Sequence, residues 1–195
     1  ISFVATGSAV TGQLLFGLGA AYAIRNGFRI QGLVLALLAL PGELLIVPLY
    51  RQLNDMMLLG SVWALILPFL ASPLVTFLLV QAIRRLPWEV VEAARLDGAS
   101  EPLIAARVIA PMLRPELIAT AVLAFASHWN LVLYPRVMTG SDMWTVQAFL
   151  VELLRTQPFD WGLLGAAALV ASLPIVVLFV IFEKRIIEVF ETGFR

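Results

Sequence analysis

The sequence contains no cysteine, one histidine (His128) and one lysine (Lys184) among its 195 residues. The absence of cysteine excludes a disulfide framework and thiolate metal sites. A single histidine leaves little material for acid–base chemistry, and the sequence contains no Gly-Lys-Ser/Thr phosphate loop. We therefore predict no catalytic residue, no metal site and no cofactor bound by this chain, which makes an intramembrane enzyme a poor interpretation.

Charge is also scarce, since only 13% of the residues are charged and the formal net charge is zero. A zero net charge argues against nucleic acid as a partner. Hydrophobic residues make up 61% of the chain, more than a soluble domain of this size can bury, so the surrounding solvent must be largely lipid. The composition predicts an all-α, polytopic membrane bundle that forms one domain over residues 1–195.

The apolar stretches are long enough to cross a bilayer of about 30 Å as helices. We predict five spans, at about residues 1–24, 30–50, 58–83, 117–137 and 161–182. Glycine and alanine in the first span suit close helix packing. Proline interrupts the second span (Pro41 and Pro48) and the third (Pro68 and Pro73). Residues 138–160 read as a polar, partly amphipathic segment, and Asp160 is expected to cap the last span.

Most of the 13 lysine and arginine residues lie at 25–29, in the loop 84–116 and in the tail after residue 182. The positive-inside rule therefore predicts that the 84–116 loop and the carboxyl terminus are cytoplasmic. With five spans, Ile1 is then expected on the outer side.

The 84–116 loop is the longest stretch too polar for lipid, and it reads as two helices joined by a turn. Pro87 is favoured in the first turn of a helix, and the run from Trp88 to Leu96 is helical in character. Asp97-Gly98 should end this helix, because glycine tolerates the left-handed conformation found at helix ends.

The second helix of the loop has its own start signal and apolar face. Ser100 can cap it, with Glu101 in its first turn. Ile104, Val108 and Met112 recur at helical spacing and predict an apolar stripe.

The same loop resembles a known motif. Glu92-Ala93-Ala94, three residues, Gly98, nine residues, Val108 and then Ala110-Pro111 resembles the EAA loop of ABC importer permeases, with valine for isoleucine and alanine for leucine. The run 92–100 is similar to the carbohydrate-uptake, maltose-type branch, in its second permease subunit. Further ordered similarities are Pro41-Gly42-Glu43, Pro48-Leu49-Tyr50, Leu65-Ile66-Leu67-Pro68, Trp129-Asn130 and Asp160-Trp161-Gly162.

The resemblance implies that the loop docks into a cleft of a cytoplasmic ATPase subunit, where Glu92 would pair with a cationic group. The residues that it assigns to ATPase coupling are Glu92, Ala93, Ala94, Asp97, Gly98, Ala99 and Pro111. The alternative interpretation is an amphipathic helix that lies on lipid headgroups.

The resemblance further implies transport of a sugar or related polyol by alternating access. The partners would be two ATP-binding subunits that carry ATP and Mg²⁺, a second and non-identical permease, and a periplasmic or lipid-anchored solute-binding protein. The location would be a bacterial or archaeal cytoplasmic membrane, and because this family usually has six spans, one more is expected before Ile1. The alternative function is an ion-gradient-driven transporter or channel, which would need more intramembrane ionisable groups than Glu43.

Four polar residues inside the spans are candidates for the translocation path. Glu43 either lines the path or reaches the membrane interface. Trp129-Asn130 could stack on and hydrogen-bond a sugar, with His128 beside them, or could instead bond between helices.

Overall fold

A computed structural model describes residues 1–155, 158 and 160–193, with side chains as far as Ile187. All regular secondary structure in that part of the chain is helical, which confirms the all-α fold class. The helices are α1 (Ser2–Arg25), α2 (Gln31–Leu38), α3 (Ile46–Asp55), α4 (Val62–Ile66), α5 (Pro73–Arg84), α6 (Glu89–Leu96), α7 (Glu101–Met112), α8 (Arg114–Trp129), α9 (Leu133–Met138), α10 (Val146–Leu153) and α11 (Trp161–Gly193).

Three segments of the described chain are long and apolar enough to cross a membrane: Ser2–Arg25, Val62–Arg84 and Trp161–Ile187. Two bent helix pairs raise the number to five if each pair is one span, namely Gln31–Leu38 with Gly42–Asp55 and Glu101–Met112 with Arg114–Trp129. The structure therefore contains three to five candidate crossings, and the count of five stays a prediction.

Proline explains the break in the second predicted span. α2 ends at Leu38, and Pro41 is extended, with φ −60° and ψ 127°, before a short 3₁₀ turn over Gly42–Leu45. Pro48 lies in the first turn of α3, where a missing N–H removes no helical hydrogen bond. Pro41 therefore separates the helices, whereas Pro48 is accommodated.

The fourth predicted span, 117–137, is not one continuous helix. α8 ends at Trp129, and α9 starts at Leu133 after a short irregular connection. At the other end, Asp160 caps α11 as expected, because its Oδ1 accepts the N–H of Leu163 at 3.0 Å.

The chain divides into two compact units, each built from stretches that are distant in sequence. Unit 1 comprises Ile1–Thr11, Leu40–Leu70 and Val122–Ile181. Unit 2 comprises Gly12–Ala39, Ala71–Ala121 and Phe182–Arg195.

Unit 1 is organised around a small apolar core formed by α3, α4 and α9. Its central members are Leu53, Leu65, Ile66, Tyr134 and Met138, all of them buried. The ring of Phe69 meets the rings of Tyr134 and His128 edge-on, with a centroid distance of 4.8 Å in both cases.

Within unit 2, α1 and α5 approach each other closely at Gly17. Gly17 faces α5, and a Cβ atom added there would lie 2.9 Å from Cγ1 of Val75 and 3.4 Å from Cδ1 of Leu79. Gly19, two residues further along α1, has no heavy atom of the described chain within 4 Å of such a Cβ. The predicted role of glycine in helix packing therefore holds for Gly17 but not for Gly19.

We expect Gly17→Val to destabilise the protein by about 1–3 kcal/mol, because the new side chain would overlap the stiff, β-branched Val75. Gly19→Val is the matched control and should be neutral or slightly stabilising, since valine forms helix better than glycine. Thermal unfolding in detergent measures both, and equal shifts for the two variants would contradict the packing assignment.

Candidate functional site

The first helix of the 84–116 loop ends as its sequence predicts. Gly98 has φ +81°, its N–H donates to the carbonyl of Arg95 at 3.0 Å, and the N–H of Ala99 donates to the carbonyl of Ala94 at 3.1 Å. These two bonds form a Schellman motif, whose left-handed position favours glycine. At the amino-terminal end, Pro87 lies just before the helix rather than in its first turn, since α6 begins at Glu89.

The start of α7 differs from the prediction in one detail. Ser100 occupies the N-cap position with an extended backbone, but its hydroxyl makes no capping bond to any described residue. An N-cap side chain bonds the second or third helical N–H, and Pro102 removes the first of these donors. The cap position was therefore predicted correctly, whereas its hydrogen bond was not.

The apolar stripe of α7 is displaced from the predicted one. Ile104, Ile109 and Leu113 are fully buried, whereas Val108 is half-buried and Met112 is exposed. The cause is a π-helical segment over Ala105–Ile109, which adds one residue to a turn and shifts the buried face by one position. Pro111, which cannot donate to the carbonyl four residues before it, favours this local widening.

The opposite face of the loop is open to solvent. Leu96, the last residue of α6, is 90% exposed, although Val91 on the same helix is buried. Of the predicted coupling residues, Ala94 and Ala99 are half-buried, and the exposed ones are Glu92, Ala93, Asp97, Gly98 and Pro111. Six of the seven lie close together in the chain, on α6 and the turn after it, whereas Pro111 lies near the carboxyl-terminal end of α7.

A polar cluster connects this loop to the end of α1. The guanidinium of Arg95 donates from Nε to Oε1 of Glu101 at 3.0 Å and from Nη2 to Oε2 at 3.2 Å. Nη2 also donates to Oδ1 of Asn26 at 2.5 Å and to the hydroxyl of Tyr22 at 3.3 Å, and that hydroxyl donates to Glu101. We call Tyr22, Arg25, Asn26, Trp88, Arg95 and Glu101 the Arg95 cluster.

Trp88 brings aromatic contacts to the Arg95 cluster. The guanidinium carbon of Arg25 lies 4.6 Å from the centroid of the Trp88 ring, a cation–π distance, and the ring of Tyr22 lies 6.1 Å away. The hydrogen bonds from Arg95 and Tyr22 lower the pKa of Glu101 below its ordinary value. This contribution to stability is present above the ordinary pKa of glutamate and disappears only as the pH falls through the lowered value.

Inside unit 1, polar side chains bond backbone carbonyls beside Pro68. Proline has no N–H to donate to the carbonyl four residues before it, which is that of Ala64. The Tyr134 hydroxyl donates to this carbonyl at 2.9 Å. Nε2 of His128 lies 3.2 Å from the next carbonyl, that of Leu65, and Nδ1 lies 3.1 Å from the hydroxyl of Thr6. Both ring nitrogens of the buried His128 therefore have partners, which favours the interhelical interpretation of this residue.

Trp129 is bonded in a similar way. Its ring is buried, stacks on Phe125 at a centroid distance of 5.3 Å, and donates from Nε1 to the carbonyl of Ala171 at 2.9 Å. Ala171 lies three residues before Pro174, the proline inside α11. This geometry favours the interhelical interpretation of Trp129 over stacking on a sugar.

The two remaining path candidates are accessible. Asn130 is exposed, donates to the carbonyl of Ala126 at 2.9 Å and accepts from Gln147 at 3.3 Å. Glu43 is exposed in the 3₁₀ turn Gly42–Leu45 and has no hydrogen-bond or ion-pair partner among the described residues. No group of three or more metal-ligating side chains is present in the described part of the chain.

The candidate spans are those of a helical membrane protein, and comparison with known proteins identifies the family. The chain belongs to the family of binding-protein-dependent transport system inner membrane components, whose model matches residues 13–188. The resemblance to ABC importer permeases is thereby confirmed, as is a role as a transport subunit rather than an enzyme.

The chain is similar to named permeases from several bacteria. It is 34% identical to the arabinooligosaccharides transport system permease protein AraQ of Halalkalibacterium halodurans, over 93% of this chain and 67% of that protein. It is 33% identical to the diacetylchitobiose uptake system permease protein NgcG of Streptomyces coelicolor, over 95% of this chain and 65% of that protein. The chain thus spans about two thirds of the length of these relatives.

A solved structure has the same fold. It is the crystal structure of a bacterial ABC transporter involved in the import of the acidic polysaccharide alginate. One of its chains matches with a TM-score of 0.78 at 18% sequence identity, over 94% of this chain and 72% of that chain.

The sequence alone does not predict the Arg95 cluster, because its members are far apart in the chain. Two signals pointed toward it. Tyr22 and Asn26 lie four residues apart at the polar end of an apolar span, and so share one helix face. Arg95 and Glu101 flank the predicted turn with opposite charges.

We expect Tyr134→Phe to destabilise the protein by about 1–3 kcal/mol, because the carbonyl of Ala64 would be left without a donor. In a Pro68→Ala background residue 68 regains an N–H that can serve this carbonyl, so the same change should be less harmful. A double-mutant cycle on unfolding measures this difference. Strict additivity of the two substitutions would contradict the compensation.

We expect Gly98→Ala to destabilise the loop by about 1–2 kcal/mol, because alanine resists the left-handed conformation at this residue. No neighbouring atom of the described chain lies within 4 Å of the added Cβ, so the effect comes from the backbone alone. Gly42→Ala is the control, since its Cβ is equally free and its φ is not in the left-handed region. Amide hydrogen exchange of residues 89–104 reports the change, and identical exchange in both variants would contradict it.

Proposed function

We propose that this chain is the permease subunit through which an ABC importer moves a sugar or related polyol across the cytoplasmic membrane. The observation that carries the proposal is the two-faced 84–116 loop. Its buried face is apolar and anchored, whereas its open face presents Leu96, Glu92 and Asp97. An almost fully exposed leucine beside two carboxylates is the expected appearance of a docking surface without its partner.

The anchored face explains how docking could be converted into movement. Val91, Ile104 and Leu113 are buried within unit 2, so the loop contributes an apolar face to the packed interior of that unit. Packed interiors resist deformation and transmit displacement. A partner that holds the open face and then closes would therefore move the attached spans, as alternating access requires.

The proposed partners follow from the family description and the names of the relatives. Two ATP-binding subunits in the cytoplasm would hold ATP and Mg²⁺ and receive the loop of each permease. A second, non-identical permease would complete the path, and a solute-binding protein would deliver the solute on the outer side. The arginine distribution supports a cytoplasmic loop and a cytoplasmic carboxyl terminus.

The solute class rests on the relatives, whose names specify arabinooligosaccharides and diacetylchitobiose. Among the four candidates for the path, Asn130 and Glu43 have accessible polar atoms that can bond hydroxyl groups. We assign His128 and Trp129 a supporting role, because they are buried as well as bonded, whereas Asn130 is bonded but exposed.

The docking face can be tested with Leu96→Ser in the reconstituted complex of both permeases and the ATPase subunits. Burial of a leucine at an interface contributes about 1.5–3 kcal/mol, so binding of the ATPase subunit should weaken roughly tenfold or more. Titration of the ATPase subunit onto permease in nanodiscs measures this affinity, and uptake into proteoliposomes measures the consequence.

Met57→Ser is the matched control, because Met57 is 92% exposed but lies outside the loop, on the predicted outer side. It should leave the affinity for the ATPase unchanged. Unaltered binding and uptake in the Leu96→Ser complex would refute the docking face. Uptake without any ATPase subunit would instead support an ion-gradient mechanism.

A further inference from the structure

We propose that Arg95 is a positioning residue that sets the angle between α6 and α7 and attaches the 84–116 loop to the end of α1. The loop and the end of α1 then move as one body during transport. The inference rests on the proposed function, in that it names the helix to which displacement of the loop is first transmitted.

The turn at Gly98 needs such a residue. Glycine permits a wide range of backbone angles, so a turn of this kind can pivot unless side chains restrain it. Arg95 lies in the last turn of α6 and Glu101 is the first residue of α7. Their two parallel hydrogen bonds, at 3.0 and 3.2 Å, join the two helices across the turn in a planar and directional arrangement.

The same guanidinium reaches α1. Its Nη2 donates to Asn26 at 2.5 Å and to Tyr22 at 3.3 Å, and Tyr22 in turn donates to Glu101. Asn26 is itself held in place, since its Nδ2 donates to the carbonyl of Tyr22 at 3.1 Å. One side chain therefore bonds to three others, which belong to the end of α1 and to the start of α7.

A second attachment lies at the opposite end of α6. Trp88, which precedes this helix, contacts the ring of Tyr22 and lies under the guanidinium of Arg25. A helix attached at one end can still rotate about that point, whereas α6 is attached to α1 at both ends. The Arg95 cluster thus fixes the orientation of α6 relative to α1 as well as its distance.

The ion pair between Arg95 and Glu101 orients the two helices more than it adds to the free energy of unfolding. The side chains of Arg95 and Glu101 are partly exposed, at 36% and 55%, and partly exposed ion pairs add little to folding. Lysine in place of arginine would keep the charge but lose the planar fork that makes the bonds directional. Arg95→Lys therefore separates a positioning role from a purely electrostatic one.

The test uses the complete transporter and exploits the absence of cysteine from this chain. Spin labels are attached at Phe28→Cys, just after α1, and at Arg107→Cys on α7, since both residues are exposed. Double electron–electron resonance spectroscopy then measures the distance between the two spin labels with and without ATP. We expect a single narrow distance distribution that is the same in both nucleotide states. The distance between labels placed on the two different permeases should change, and it serves as the reference for transport motion.

In Arg95→Lys, we expect this distance distribution to broaden and the amount of solute taken up per ATP hydrolysed to fall about threefold or more. Arg114→Lys, a substitution of the same kind elsewhere in the loop, should leave both quantities unchanged. Glu101→Gln, which keeps the shape of the side chain but removes its charge, should produce an intermediate effect, and it tests the same bonds if the lysine variant assembles poorly.

Two results would overturn the inference while leaving the proposed function intact. One is a distance between the labels that changes with nucleotide state although Arg95 is intact and the transporter still couples ATP hydrolysis to uptake. The other is an Arg95→Lys complex whose distances and coupling match those of the wild type. Uptake that does not depend on ATP at all would instead refute the proposed function.

Discussion

The fold of this chain depends on one requirement, that backbone groups removed from water must keep hydrogen-bond partners. Lipid offers none, so each break in a helix has to be compensated from within the protein. Pro68 frees the carbonyl of Ala64, and the hydroxyl of Tyr134 occupies it. His128 occupies the neighbouring carbonyl of Leu65 and is oriented by Thr6. The interrupted candidate span Val62–Arg84 is therefore stabilised by polar side chains from α1, α8 and α9.

This requirement changes how the interior polar residues should be interpreted. A histidine, a tryptophan and an asparagine in consecutive positions suggest a solute site when only the sequence is considered. In the structure, the ring nitrogens of His128 and the indole N–H of Trp129 are already bonded to the protein. A buried side chain that bonds a backbone carbonyl cannot also bind solute without leaving that carbonyl unpaired, and both His128 and Trp129 are buried. Asn130 also donates to a backbone carbonyl but is exposed, as is Glu43, so these two residues stay the accessible candidates for solute contact.

The sequence predicted best what local chemistry determines. The end of α6 at Gly98 and the cap of α11 at Asp160 follow from residues within one turn, and both are present. The buried stripe of α7 was placed one residue too early after Ile104, because regular periodicity cannot anticipate a π-helical turn. The bonds of Arg95 to α1 and of Tyr134 to α4 join residues about 70 positions apart, at separations of 73 and 70. Such pairs are set by tertiary packing, which a single sequence does not display.

The contrast between local and distant bonds also bears on the proposed role of this loop in ATPase coupling. The Schellman motif ends α6 at Gly98, and side-chain hydrogen bonds across the turn further restrain the angle between α6 and α7. The structure places hydrogen bonds from one guanidinium on both sides of the turn and on a third helix. Ile104 and Ile109, on the apolar face of α7, are fully buried. In the proposed mechanism, a displacement applied at Leu96 would therefore pass to α7 and to the end of α1 instead of being absorbed at the Gly98 turn.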